Sequence, residues 1–251
     1  MLIDCHCHLS FPEFSQDLKL ILEQIKGDFY AVIESTVNLE NTQKALSLFS
    51  DYEFVYFSLG FHPYYAGEFK REILDKYIDV IEENKRVVSI GEVGLDIKSK
   101  ASLEEQKRVF LEFLDLAVQF DLPVIIHNRG FKESIIDLLR KKRVKNVVLH
   151  CFSQDVEFLD LAVKNRYFIS FAGNLTFKNS YSLKECAKKA PLEFILSETD
   201  SPFLAPQKIR GKRNTPLYVR EVIEEISRQK EKERAEIEEV VLKNAKEVFN
   251  I

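Results

Sequence analysis

The chain has 251 residues, 45% of them hydrophobic and 30% charged, with a formal net charge of -4. That profile belongs to a globular protein with ample material for a core, and the negative balance excludes a surface given over wholly to nucleic acid. No apolar run approaches the ~20 residues that cross a bilayer, the first twenty residues lack the regions of a secretory leader, and four cysteines make no disulfide framework. A cytoplasmic protein with no membrane partner is the expectation.

In chain order, short runs rich in Val, Ile, Phe and Tyr are separated by longer amphipathic stretches. The first four runs are LIDCHCH (2–8), FYAVIEST (29–36), FVYFSLGFH (54–62) and RVVSIGEVGLD (86–96). The others are PVIIHNR (123–129), NVVLHCFS (146–153), YFISFAG (167–173) and FILSETDSP (194–202). Between the fourth and fifth, SLEEQKRVFLEFLDLAVQF carries apolar residues every three or four positions behind a serine N-cap and two glutamates, which predicts a helix. The charge-rich stretch RQKEKERAEIEEVVLKNAKEVF is mixed in sign and helical in period, a solvated helix face or turn rather than a binding tail. No Gly/Ser-rich linker divides the chain, so residues 1–251 are expected to form one domain.

Near-continuous apolar strands alternating with helices predict a parallel sheet covered by helices. A doubly wound open sheet would carry a Gly-rich phosphate loop after the first strand, and here that strand ends in HCHLS. Eight strands fit an α/β fold of the (β/α)8 TIM-type barrel, with its site at the C-terminal strand ends.

The polar residues follow that rule. His6 and His8 close the first run, His62 the third, His127 the fifth and His150 the sixth; Glu92 and Asp200 sit in the fourth and eighth. All five histidines of the chain thereby fall at one end of the predicted barrel. His6 and His8 share one strand face, while Cys5 and Cys7 point the other way, into the helix layer. Cys151, beside His150, is read by the same parity as packing, and Cys186 as packing because it lies in a helical stretch.

His6, His8, Glu92, His127, His150 and Asp200 form a nitrogen and oxygen ligand set suited to zinc, manganese, iron or nickel. Six ligands exceed the needs of one tetrahedral ion and suit two ions sharing a carboxylate, an arrangement that activates a water for in-line displacement. Glu92, between Gly91 and Gly94, is the bridging candidate, and Asp200 is the candidate to bind an ion and take the proton of the attacking water.

HCHL, GFHP, GEVGLD, PVIIHNR, LHCFS, ETDSPFLAP and RGKRNTP, in this order, resemble the TatD family of metal-dependent deoxyribonucleases, within the amidohydrolase-type superfamily of (β/α)8 barrels. The resemblance runs from Leu2 to about Phe249. It implies that the same six residues bind two divalent ions, with magnesium, manganese and zinc as candidates. Glu92 stands where other superfamily members use a carboxylated lysine. The resemblance makes His62 the group that meets the scissile phosphate or its leaving oxygen. It places Arg129, Lys178, Arg210, Lys212, Arg213 and Asn214 beside the phosphates, and Glu198 shares strand parity with Asp200 and could orient it or a histidine.

Three positions depart from the family pattern. Ser10 replaces an acidic residue after HCHL, Ile97 an aromatic after GLD, and Gly130 an aspartate after the fifth-strand HxR. None is a proposed ligand. The function implied is phosphodiester hydrolysis of DNA, 3′ to 5′ on single strands, by a monomer. Hydrolysis of a C–N or ester bond, in a small molecule or an aminoacyl-tRNA, is the alternative, since the same metal geometry serves carbonyl carbon. A barrel kept only as an interaction module would be expected to have lost ligands, and here all six are present.

Overall fold

The structure, a computed structural model, describes residues 1–251. Its eight strands are β1 (Leu2–Cys7), β2 (Phe29–Ser35), β3 (Val55–Leu59), β4 (Val87–Asp96), β5 (Val124–Arg129), β6 (Val147–Leu149), β7 (Phe168–Phe171) and β8 (Ile195–Ser197). They lie in one sheet in chain order, alternating with helices, and the fold is the expected (β/α)8 barrel. No helix is long and apolar enough to cross a membrane.

The chain divides into two compact units. One comprises Met1–Glu34 and His150–Ile251; the other is Ser35–Leu149.

In the first unit β1 pairs in parallel with β2, and β7 with β8. The segment after β8 folds back along β1: Asp200 N–H donates to His6 O at 2.9 Å, and His8 N–H to Ser201 O at 2.8 Å. β1 is buried along its whole length. Its odd-numbered residues are apolar or cysteine, while Asp4 and His6 are polar yet fully buried. The charge-rich C-terminal stretch resolves into two helices, α8 (Val219–Lys230) and α9 (Arg234–Phe249), separated by a turn at Glu231 with φ +52°.

In the second unit β3, β4, β5 and β6 pair successively in parallel. The helix α4 (Leu103–Gln119) starts at a full capping box between Ser102 and Glu105, and it buries Val109, Phe110, Phe113, Leu114 and Ala117. Phe113 is completely buried, with Tyr77 (5.0 Å between ring centroids), Phe61 and Phe69 packed around it. Tyr77 also donates its hydroxyl to Gly60 O at 2.8 Å, so this aromatic cluster supports the backbone that leads to His62. A Cβ on Gly60 would lie 2.2 Å from Glu92 N, and one on Gly94 1.9 Å from His127 O. Only glycine at these points lets β3, β4 and β5 approach so closely.

The strands are shorter than their apolar runs. β6 ends at Leu149 and β8 at Ser197, because Cys151 (φ +43°) and Asp200 (φ +54°) turn the backbone out of the extended region. His8, His62, His150 and Asp200 therefore sit on the first residues beyond a strand, while His6, Glu92 and His127 remain on one.

Truncating Phe113 to alanine removes the centre of the aromatic cluster. The expected loss is about 3–5 kcal/mol, read as a lowered denaturant midpoint with unchanged far-ultraviolet circular dichroism before the transition.

Candidate metal centre

In the first unit, strand parity turns Asp4, His6 and His8 to one face. His6 and His8 are buried, and their Nε2 atoms stand 3.1 Å apart. Asp200 Oδ1 lies 3.6 Å from His6 Nε2 and 3.4 Å from His8 Nε2. The His150 ring stacks on His6 at 4.2 Å, and His6, His150 and Asp200 each offer one ligand atom within a 4.8 Å span. Atoms bound to a single ion at about 2.0–2.1 Å stand about 3.3 Å apart in a tetrahedron. The donor atoms thus converge at the spacing a divalent ion requires, and the residues fit the metal.

Three carboxylates hold this cluster in place. Glu198 accepts from Cys151 N–H at 2.7 Å and lies 3.2 Å from His150 Nδ1, which leaves His150 Nε2 as the nitrogen for an ion. Asp4 accepts from Thr199 N–H at 2.9 Å, from Thr199 Oγ1 at 2.5 Å and from His6 N–H at 3.3 Å, tying the end of β8 to β1. Burial pushes the Asp4 carboxyl up to about 8, against the hydrogen bonds from Thr199 and His6. Glu34, at the end of β2, accepts from Leu9 N–H at 2.6 Å and Ser10 N–H at 3.0 Å, and so fixes the loop that carries His8. Burial raises Glu34 to about 7, opposed by Ser10, His8 and Leu9. Burial alone would raise Asp200 as well, but the imidazoles of His8, His150 and His6 draw it below the ordinary carboxylate value.

In the second unit, Glu92, Gly94 and Asp96 alternate along β4. His127 lies between the two carboxylates, with Nδ1 2.5 Å from Glu92 Oε1 and Nε2 2.9 Å from Asp96 Oδ2. With the Nε2 proton on the Asp96 side, Nδ1 is the nitrogen left for an ion beside Glu92. Burial would raise the Asp96 carboxyl, but His127 and Lys98 N–H hold it below its usual value. His62 Nε2 is 3.6 Å from Glu92 Oε1, while its Nδ1 accepts Tyr64 N–H at 3.1 Å. That backbone bond puts the proton of neutral His62 on Nε2, making it a hydrogen-bond donor facing the cluster rather than a ligand. The Tyr64 ring meets His62 edge-on at 4.7 Å.

Residues 3–250 match the family described as TatD related DNase. The chain belongs to that family. It is a metal-dependent hydrolase of the TatD family. It is 35% identical to the uncharacterized metal-dependent hydrolase YabD of Bacillus subtilis over 255 residues, covering 100% of both chains. It is 32% identical to MJ1582 of Methanocaldococcus jannaschii, described in the same words, covering 98% of this chain and 96% of the relative. The crystal structure of YJJV, a TatD homologue from Escherichia coli, superposes with a TM-score of 0.93 at 28% identity, covering 100% of this chain and 98% of that one.

The TatD-family hydrolase uses its other polar candidates unequally. Arg129, Lys178, Arg210 and Lys212 are exposed, Arg210 lying over the Phe177 ring at 4.4 Å. Arg213 is bound to both oxygens of Asp17 and to Glu13 O, and so anchors its loop. Asn214 is buried; its amide donates to Thr199 O at 2.9 Å and accepts from Thr215 N–H at 3.0 Å. It braces the turn carrying Asp200 rather than facing a phosphate. Cys5 and Cys7 are buried on the opposite strand face, as their parity requires, with Cys7 Sγ on Ile33 O. Of the family departures, Ser10 gives its N–H to Glu34, and a Cβ at Gly130 would lie 3.2 Å from Ile97 Cγ2, so those last two positions are neighbours.

Sequence reading missed Asp4, Glu34, Asp96 and Tyr64. For Asp4 and Asp96 the signal was present, since they share strand parity with His6 and Glu92. Glu34 carries none, because its partners are backbone groups 24 and 25 residues away.

Glu198→Ala and Asp96→Ala should each lower metal affinity about 10–100-fold. Competition with a chromogenic chelator measures this, and Arg234→Ala, which breaks only an exposed pair with Glu238 on α9, serves as a control with unchanged affinity.

Proposed function

We propose that this protein hydrolyses phosphodiester bonds of DNA, removing nucleotides from the 3′ end of single strands, with two divalent ions at the cluster. His6, His8, Glu92, His127, His150 and Asp200 would hold them. When bound, such ions lower the pKa of a coordinated water and neutralise charge growing on phosphate oxygens.

The remaining work falls to side chains. Asp200 has a carboxylate oxygen beside the His6 and His8 nitrogens, where it receives the proton of the attacking water. Glu34 and Asp4 keep the β1 imidazoles in register through backbone bonds. His62 presents Nε2–H, a donor suited to the oxygen that departs with negative charge, and Tyr64 N–H maintains the tautomer.

The observation that carries the phosphodiester reading is this fixed Nε2–H donor facing the ligand cluster. The exposed cations Arg129, Lys178, Arg210 and Lys212 support it, as phosphate oxygens attract such groups at short range. The family's description as TatD related DNase agrees.

Metal-stripped protein, resupplied in turn with magnesium, manganese and zinc, tests the reading on end-labelled oligonucleotides. Mononucleotides released from the 3′ end only when metal is present are expected, with Asp200→Ala reduced by about 10²–10⁴-fold. Intact DNA under every metal, with turnover of an amide or ester panel instead, would transfer the activity to carbonyl substrates. His62→Gln should lower kcat by about 10²-fold with little change in KM, because the donor acts on a charge present only in the transition state.

A further inference from the structure

The loop after β8 carries an apolar ring that the chemistry above leaves unused. Phe203 is 47% exposed, yet its backbone is held firmly. Its N–H donates to Asp200 O at 2.9 Å, Asn214 N–H caps Pro202 O at 3.0 Å, and Leu204 O packs where a Cβ on residue 173 would stand. The ring is no isolated surface residue. Phe11 meets Phe203 edge-on at 6.0 Å and stacks on His8 at 4.8 Å, and Phe203 lies 6.2 Å from the His8 ring. Two phenyl rings thus lead from a ligand imidazole to solvent.

We propose that Phe203, backed by Phe11, is the platform on which an unpaired nucleobase stacks when its phosphate lies at the His6–His8–Asp200 cluster. The inference rests on the phosphodiester reading and extends it from bond to substrate form. A separation of 6.2 Å from the His8 ring is of the order that one sugar bridges between a phosphate and its base. Arg210 and Lys212 follow Phe203 in the same segment after β8 and both are exposed, a charge that suits the same occupant. Arg210 is held over the Phe177 ring at 4.4 Å, and an arginine stacked on an aromatic face keeps N–H donors for phosphate oxygens. Every base has a π-face, so the platform ignores sequence, but a base inside a duplex has both faces covered. The ring therefore selects single strands.

The test compares wild type with Phe203→Ala, with Phe203→Leu, which keeps bulk without a flat face, and with Phe203→Trp. Metal-loaded protein is titrated, by fluorescence anisotropy, with a 5′-labelled strand whose terminal linkages are phosphorothioates. A matched strand carries abasic terminal residues. The expected result is a loss of about tenfold in affinity for the intact strand in both the alanine and leucine variants, recovered by tryptophan, as for one lost base–aromatic stack. On the abasic strand the substitutions should change affinity by less than about twofold, because no base remains to stack.

Equal losses on both strands, or none on either, would overturn the proposal. A shift in sedimentation with unchanged DNA affinity would assign the ring to contact between copies and overturn it too. Cleavage of the unmodified strand by wild type, measured alongside, keeps the two readings apart. Cleavage with no base-dependent loss sinks only the platform, base-dependent binding without cleavage sinks only the nuclease, and neither binding nor cleavage sinks both.

Discussion

A neutral imidazole offers a cation one lone pair, and which nitrogen offers it depends on where the other sends its proton. The candidate centre is built on that constraint. Asp96 takes one nitrogen of His127, Glu198 faces Nδ1 of His150, and a backbone N–H occupies Nδ1 of His62. The first two arrangements direct a lone pair inward, and the third directs a proton inward. Three histidines at strand ends thereby acquire two different chemistries from their neighbours.

The carboxylates that support the centre are almost fully enclosed. Asp4, Asp96 and Glu198 are each no more than 1% exposed, and each accepts hydrogen bonds or ring contacts from groups far away in sequence. Burying a carboxylate is costly unless it is hydrogen-bonded, and an unmet partner would leave a large penalty. The first unit shows the consequence most plainly. Asp4 and Glu34 join strand to turn and strand to loop with the groups that also place His6 and His8. Binding geometry and fold stability are therefore carried by the same bonds, and loosening one loosens the other.

Much of the architecture was legible in the residues. The eight apolar runs, their parallel order and the Ser102-capped helix all occur in the structure, because a buried parallel strand and an amphipathic helix write different periods into a chain. Strand ends were less legible. At Cys151 and Asp200 the left-handed backbone is imposed by what the carbonyl and amide groups meet, such as Asp200 N–H on His6 O. Similarly, the family resemblance placed Arg213 and Asn214 beside phosphates, but the fold commits them to Asp17 and to Thr199.

What the sequence by itself determined is the set of donors and their faces. Alternation along β1 and β4 decides that His6 and His8, or Glu92 and Asp96, point the same way, because successive side chains of a strand must diverge. Only the tertiary structure decided which proton each imidazole holds, which cations anchor a loop rather than face solvent, and which phenylalanine stays uncovered beside His8. Those outcomes depend on groups brought together from as far apart as residues 4 and 199, and no local period records such a meeting.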